Sequence, residues 1–169
     1  MRYRLLRGFL VIGLLGSGMT SLAAWQGKGD VPLEEVGPVT LIVAGLLPLA
    51  WRAPFRVWHW WDTLLTPVSL LLVAAGAGSF RPEDNPEPAF QFFFALYLTL
   101  ATAYGYFCSA TPADSPRRAA VIEPVKRLSR LGIPGLDLGL VLAPLAFPWL
   151  WLHHALKRSR GDAGAKGRP

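Results

Sequence analysis

Five apolar runs, separated by short stretches that hold nearly all the charge, organise this chain: Leu5–Trp25, Pro38–Trp51, Val57–Phe80, Ala89–Ala110 and Leu136–Leu156. Together they take up well over half of its 169 residues, which leaves no room for a soluble domain of typical size. A helix needs about 20 apolar residues to cross roughly 30 Å of hydrocarbon. Runs one, three, four and five meet that length. Run two, with 14 residues from its proline, has to borrow from its flanks or thin the bilayer locally. The pattern predicts an all-α, polytopic membrane bundle over residues 1–156, followed by a basic tail, 157–169, expected to be disordered.

The basic residues then orient the bundle. With the N-terminus inside, Arg2, Arg4, Arg7, Arg52, Arg56, Arg117, Arg118, Lys126, Arg127 and Arg130 fall on the inner side through run four. Only Lys28 and Arg81 fall outside, among Asp30, Glu34, Glu35, Glu83, Asp84 and Glu87. Ten against two is the asymmetry of the positive-inside rule. The first run resembles a signal peptide in its basic start and its Ser21–Leu22–Ala23 step, but it is long for one. We read it as an uncleaved first span.

The fifth run sets length against charge. Pro144 and Pro148 interrupt it, and each removes a helical hydrogen bond. A single kinked crossing fits its length and puts Trp149 and Trp151 in an outer interfacial belt. That crossing sends Lys157, Arg158, Arg160, Lys166 and Arg168 outside, against the bias. A re-entrant hairpin turning at the two prolines keeps them inside. Length decides for the single kinked span as the expectation.

Between runs four and five, Ser115–Pro116 reads as a helix start. Pro124 is expected to divide this stretch, opening a second short helix that ends at Gly132. Val125, Leu128 and Leu131 at helical spacing, beside Lys126, Arg127 and Arg130, suggest a basic amphipathic helix lying among anionic headgroups. Helix contacts in a bilayer favour small residues four apart. Run four supplies Ala101, Gly105 and Ser109, run three Ala74 and Gly78, run five Gly135, Gly139 and Ala143, and run one Gly13 and Ser17. Phe92, Phe93, Phe94 and Tyr97 form a bulky cluster expected to face lipid.

Composition agrees with a membrane location: hydrophobic residues make up 52% and charged residues 17%, against roughly 25% charged in soluble domains. The net charge of +6 sits in short loops beside apolar runs, so it orients the chain and does not mark a nucleic-acid binder. Cys108 is the single cysteine and reads as a small packing residue. No metal cluster or nucleophile motif occurs, so no catalytic residue is assigned.

The string Trp58–His59–Trp60–Trp61–Asp62 is the most unusual. Its tryptophans suit an interfacial belt. His59 and Asp62, three apart, would share a helix face and could hydrogen-bond. With Arg52 and Arg56 they form a candidate polar or headgroup site. Asp62, within an apolar run, is expected to face the bundle interior. His59, His153 and His154 are the weak candidates for a cofactor; haem would need two axial nitrogens from different helices. Asp137 reads as a charge favourable to the start of a helix. The expected role is a non-catalytic accessory or assembly subunit of a larger bacterial-type inner-membrane complex. Its partners are the bilayer and other membrane subunits, with no cofactor. The alternatives are a haem- or quinone-binding redox protein and a small transporter or lipid-handling protein.

Overall fold

The computed structural model describes residues 2–55, 57–80, 87–130 and 137–165. Six helices account for nearly all of them, and no strand occurs among the described residues: α1 Arg2–Trp25, α2 Leu33–Arg52, α3 Asp62–Gly78, α4 Glu87–Ala110, α5 Pro116–Arg130 and α6 Leu138–Ala165. Four of them, α1, α2, α4 and α6, are long and apolar enough to cross a membrane. The protein is therefore an all-helical, multi-pass membrane protein by the length and composition of its helices.

Two lengths differ from the sequence reading. The second apolar run is not short, because its helix begins at Leu33 and passes through Pro38 and Pro48 over 20 residues. The third is the short one: α3 has 17 residues and starts at Asp62. Residues 57–61 lie outside α3 because their polar groups are tied to Asp62 and Arg52, as described below. His59 and Asp62 therefore do not share a helix face.

The helices pack in the order α1, α2, α3, α4, α6, α5. Contacts along each pair give the directions. Arg7 meets Ala50 while Ser21 meets Thr40, so α1 and α2 are antiparallel. Gly45 faces Ser69 and Val73, and Gly76 faces Pro38 and Ile42, so α2 and α3 are antiparallel as well. Gly105, near the end of α4, faces Thr63 at the start of α3. The α4–α6 pair is different. Tyr97 donates to the Val141 carbonyl at 2.8 Å, Tyr104 and Phe107 both stack near Phe147, and Ala110 shares a cavity wall with Trp151 and His154. Partners advance together along both helices, so α4 and α6 are parallel. α5 runs against α6, with Val125 and Ser129 beside Gly139 and Arg117 beside His154 and Arg158.

The fifth run forms a single helix of spanning length, as its length predicts. α6 is one unbroken helix through Pro144 and Pro148, so no hairpin turns at the prolines. Trp151 and His154 of α6 lie beside Ala110 at the end of α4, and α6 runs on past them. α5 runs back along α6, and its end at Ser129 meets the start of α6 at Asp137, beside Phe55 of the α2–α3 connection. α6 continues to Ala165, so the tail is helical as far as that residue.

The core runs from the α2–α3 connection to the α5–α6 pair and includes Leu49, Phe55, Trp58, Tyr97, Ala101, Tyr104, Cys108, Val121, Val125, Leu140 and Ala143. Close backbone approach carries it. A Cβ at Gly45 would sit 2.5 Å from the Ser69 carbonyl, and one at Gly76 would sit 2.6 Å from that of Pro38. On α4 the buried stripe is Ala101, Tyr104, Gly105 and Cys108, while Ser109 is exposed and bonds back to the Gly105 carbonyl. Tyr97 is buried and not turned to lipid, because its hydroxyl is spent on α6. On α3, Gly76 makes a close contact with α2. Gly139 and Ala143 are buried as expected, and Gly135 lies outside the described residues. α5 is one helix through Pro124, and its Val121, Ile122 and Val125 are buried against the bundle.

Candidate functional site

The polar residues singled out in the sequence meet at the turn between α2 and α3. Arg52 is the last residue of α2 and Asp62 the first of α3. The Arg52 Nε donates to Asp62 Oδ1 at 2.6 Å and its Nη2 donates to Oδ2, a bidentate fork of the strong, planar kind. The Asp62 side chain is fully buried, and that of Arg52 is 23% exposed. Asp62 also stands at the positive end of the α3 dipole, which favours a carboxylate there. Its Oδ2 accepts the backbone N–H of His59 at 2.8 Å. The imidazole is not its partner: Nδ1 lies 3.8 Å away. That ring stacks flat on Trp61 at 4.8 Å. Its Nδ1 lies 3.1 Å from the Val57 carbonyl and 3.2 Å from Arg52 Nη2, and it can serve one of these at a time, as donor to the first or acceptor from the second.

Asp137 makes a second knot. It precedes α6 and caps it, accepting the Leu140 N–H at 3.1 Å in the N-cap manner. Its other oxygen accepts the Phe55 N–H at 2.7 Å and the Ser129 hydroxyl at 2.8 Å. One fully buried carboxylate thus joins the α2–α3 loop, the end of α5 and the start of α6. Arg7 makes a third knot by donating to the carbonyls of Ala50, Trp51 and Ala53. These are the free acceptors at the end of α2, where a cation is also favoured by the dipole. Its guanidinium lies 5.5 Å from the centre of the Trp51 ring.

Trp58 departs from the interfacial belt. It is buried, donates from Nε1 to Thr63 Oγ1 at 3.2 Å, and meets Tyr104 edge-on at 5.0 Å. Trp60 and Trp61 are exposed, as a belt requires.

The candidate residues therefore divide. Arg52, Asp62 and His59 come together. Arg56 lies outside the described residues. His153 is exposed, and His154 is half-buried in the wall of a cavity with Arg117 and Arg158. His59 contributes nothing to that cavity, so the two ends of the supposed cofactor pair do not converge there. No group of three or more His, Cys, Asp or Glu able to hold a metal occurs among the described residues. The reading from sequence missed Arg7 and the loop-binding role of Asp137. A guanidinium two residues inside an apolar run was the available signal for Arg7, since a charge there must find partners.

What this arrangement does chemically is hold backbone. Arg52, Asp62, Asp137 and Arg7 are each spent on an ion pair, a helix end or a loop amide, and the ends of five helices are fastened to one loop. A scan against protein-family models and searches of curated proteins and of solved structures each gave no match.

Proposed function

We propose that the protein is a non-catalytic accessory or assembly subunit of a larger complex in a bacterial-type inner membrane, with its N-terminus on the inner side. The observation that carries this reading is the closed Arg52–Asp62 pair. In the most site-like polar group of the chain, the Asp62 carboxylate is fully buried and both its oxygens are held by its own neighbours, so the pair acts as a fastening. The outer surface of α1 adds support: Leu5, Phe9, Ile12, Leu15, Met19 and Leu22 all point away from the bundle, a face for lipid or for a neighbouring subunit's helix. The parallel course of α4 and α6 supports the N-inside orientation through the charge count. With the tail on the side of the α4 C-terminus, the inner side holds fifteen of the 17 Lys and Arg residues and the outer side two, a stronger bias than any arrangement with the tail outside. α5 exposes Arg117, Glu123, Arg127 and Arg130, which belong at the headgroup level and not in hydrocarbon.

Purification of the full chain from its native membrane in a mild detergent tests the assignment. A protein co-eluting in fixed proportion is expected, and a monomer that elutes alone would refute it. His59 does not share the cavity that His154 lines, and Arg52 and Asp62, two of the four residues behind the lipid-handling reading, are engaged with one another.

A further inference from the structure

A second cluster of polar groups lies away from the α2–α3 turn, where the end of α4 meets the middle of α6. There a cavity of about 860 Å³ opens between the two helices and the start of α5. A smaller lobe of about 440 Å³ adjoins it, and the two share Phe107, Arg117, Trp151, His154 and Arg158. Two features set this cavity apart. Its cations carry no carboxylate partner among the residues whose side chains are described, which stop at Ser159: the ion pairs there are Arg52–Asp62 and Lys126–Glu123, both away from the cavity. Its floor is apolar, made by Phe107, Phe147 and Trp151, with the Phe107 and Phe147 rings 5.1 Å apart.

We propose that this cavity binds the phosphate headgroup of an anionic phospholipid, with Arg117 and Arg158 on the phosphate, His154 beside it, and the first acyl carbons over Phe107, Phe147 and Trp151. The chemistry that selects such a ligand is the combination. Guanidinium groups bind phosphate in a forked, charge-assisted geometry. The start of α5, which borders the cavity at Ser115 and Pro116, adds the positive end of a helix dipole. A free phosphate ion satisfies those groups but leaves the aromatic floor uncovered, whereas a lipid covers it. The position fits as well, since tryptophan and basic side chains at a helix end are the usual neighbours of a headgroup. The site does not depend on the protein being an accessory subunit.

Native mass spectrometry of the delipidated full-length protein, incubated with phosphatidylglycerol or phosphatidylcholine, tests the proposal. Phosphatidylglycerol should be retained at least tenfold more tightly. Arg117→Ala/Arg158→Ala should abolish that preference, while Lys126→Ala/Arg127→Ala, which removes the same charge from α5 away from the cavity, should keep it. Equal retention of the two lipids by the wild-type protein overturns the proposal without recourse to any variant. An equal loss in both double variants also overturns it, because the effect is then one of general surface charge. Inorganic phosphate at millimolar concentration should not displace the lipid. Displacement would assign the site to a free oxyanion and overturn the lipid assignment.

Discussion

At the α2–α3 turn, Arg52 faces a buried carboxylate, a loop carbonyl and a ring nitrogen, and no donor points at a ligand. At the α4–α5–α6 junction, Arg117 and Arg158 border an aromatic-lined cavity with no carboxylate against them among the residues whose side chains are described. The two regions use the same residue types for different ends, and the partners decide which. A guanidinium with a buried carboxylate in reach is structural, and removing it strands a charge. A guanidinium without one is available, and removing it costs the fold little. Function should therefore be sought where the charges are unpaired.

Stability measurements can break this comparison. The largest effect should come from Arg52→Ala, which leaves Asp62 buried and unpaired at a cost of about 3–5 kcal/mol. Thermal unfolding in detergent should show a large drop in midpoint. Asp62→Asn should cost less, because the side chain left behind, Arg52, reaches solvent. A smaller loss, about 1–3 kcal/mol, is expected for Gly45→Ala, whose added methyl group would press on the Ser69 carbonyl and on Val73 and push α2 from α3. Least of all, Arg117→Ala and Arg158→Ala should each shift stability by no more than about 0.5 kcal/mol in lipid-free detergent. If either pocket variant proves as damaging as Arg52→Ala, the distinction between spent and unspent arginines fails.

Much of this architecture is legible in the sequence, and the failures have physical causes. The apolar runs announce the helices because apolarity is what a bilayer demands. The burial of Asp62 follows from its place in such a run. Helix ends are harder to see, since they depend on distant partners. Pro54 announces the end of α2 locally, since the residue before a proline leaves the helical region, but the bond from the Phe55 N–H to Asp137, 82 positions along the chain, has no local signal. The small-residue stripe of α4 was right at Ala101 and Gly105. It failed at Ser109 because the helix contact follows alternating three- and four-residue steps to Cys108, while the Ser109 hydroxyl is satisfied by its own helix. The course of α6 was obscured because two valid signals conflicted. Its length matched one crossing, while its basic tail required a return, and the amphipathic α5 that runs back along it reads locally as a surface helix.

The parallel course of α4 and α6 is the central claim, because the tail's orientation and the cavity both depend on it. Single cysteines at Gln26, Ala113 and Ser159, in a Cys108→Ala background, can be labelled with a membrane-impermeant maleimide in sealed vesicles of known orientation. Gln26 lies between α1 and α2, and Ala113 between α4 and α5, so these two should label from opposite sides. The account predicts that Ser159→Cys labels with Ala113→Cys, from the side of the α4 C-terminus. Labelling of Ser159→Cys with Gln26→Cys would mean that α6 crosses in the opposite sense to α4, and would contradict both the fold described here and the lipid site built on it.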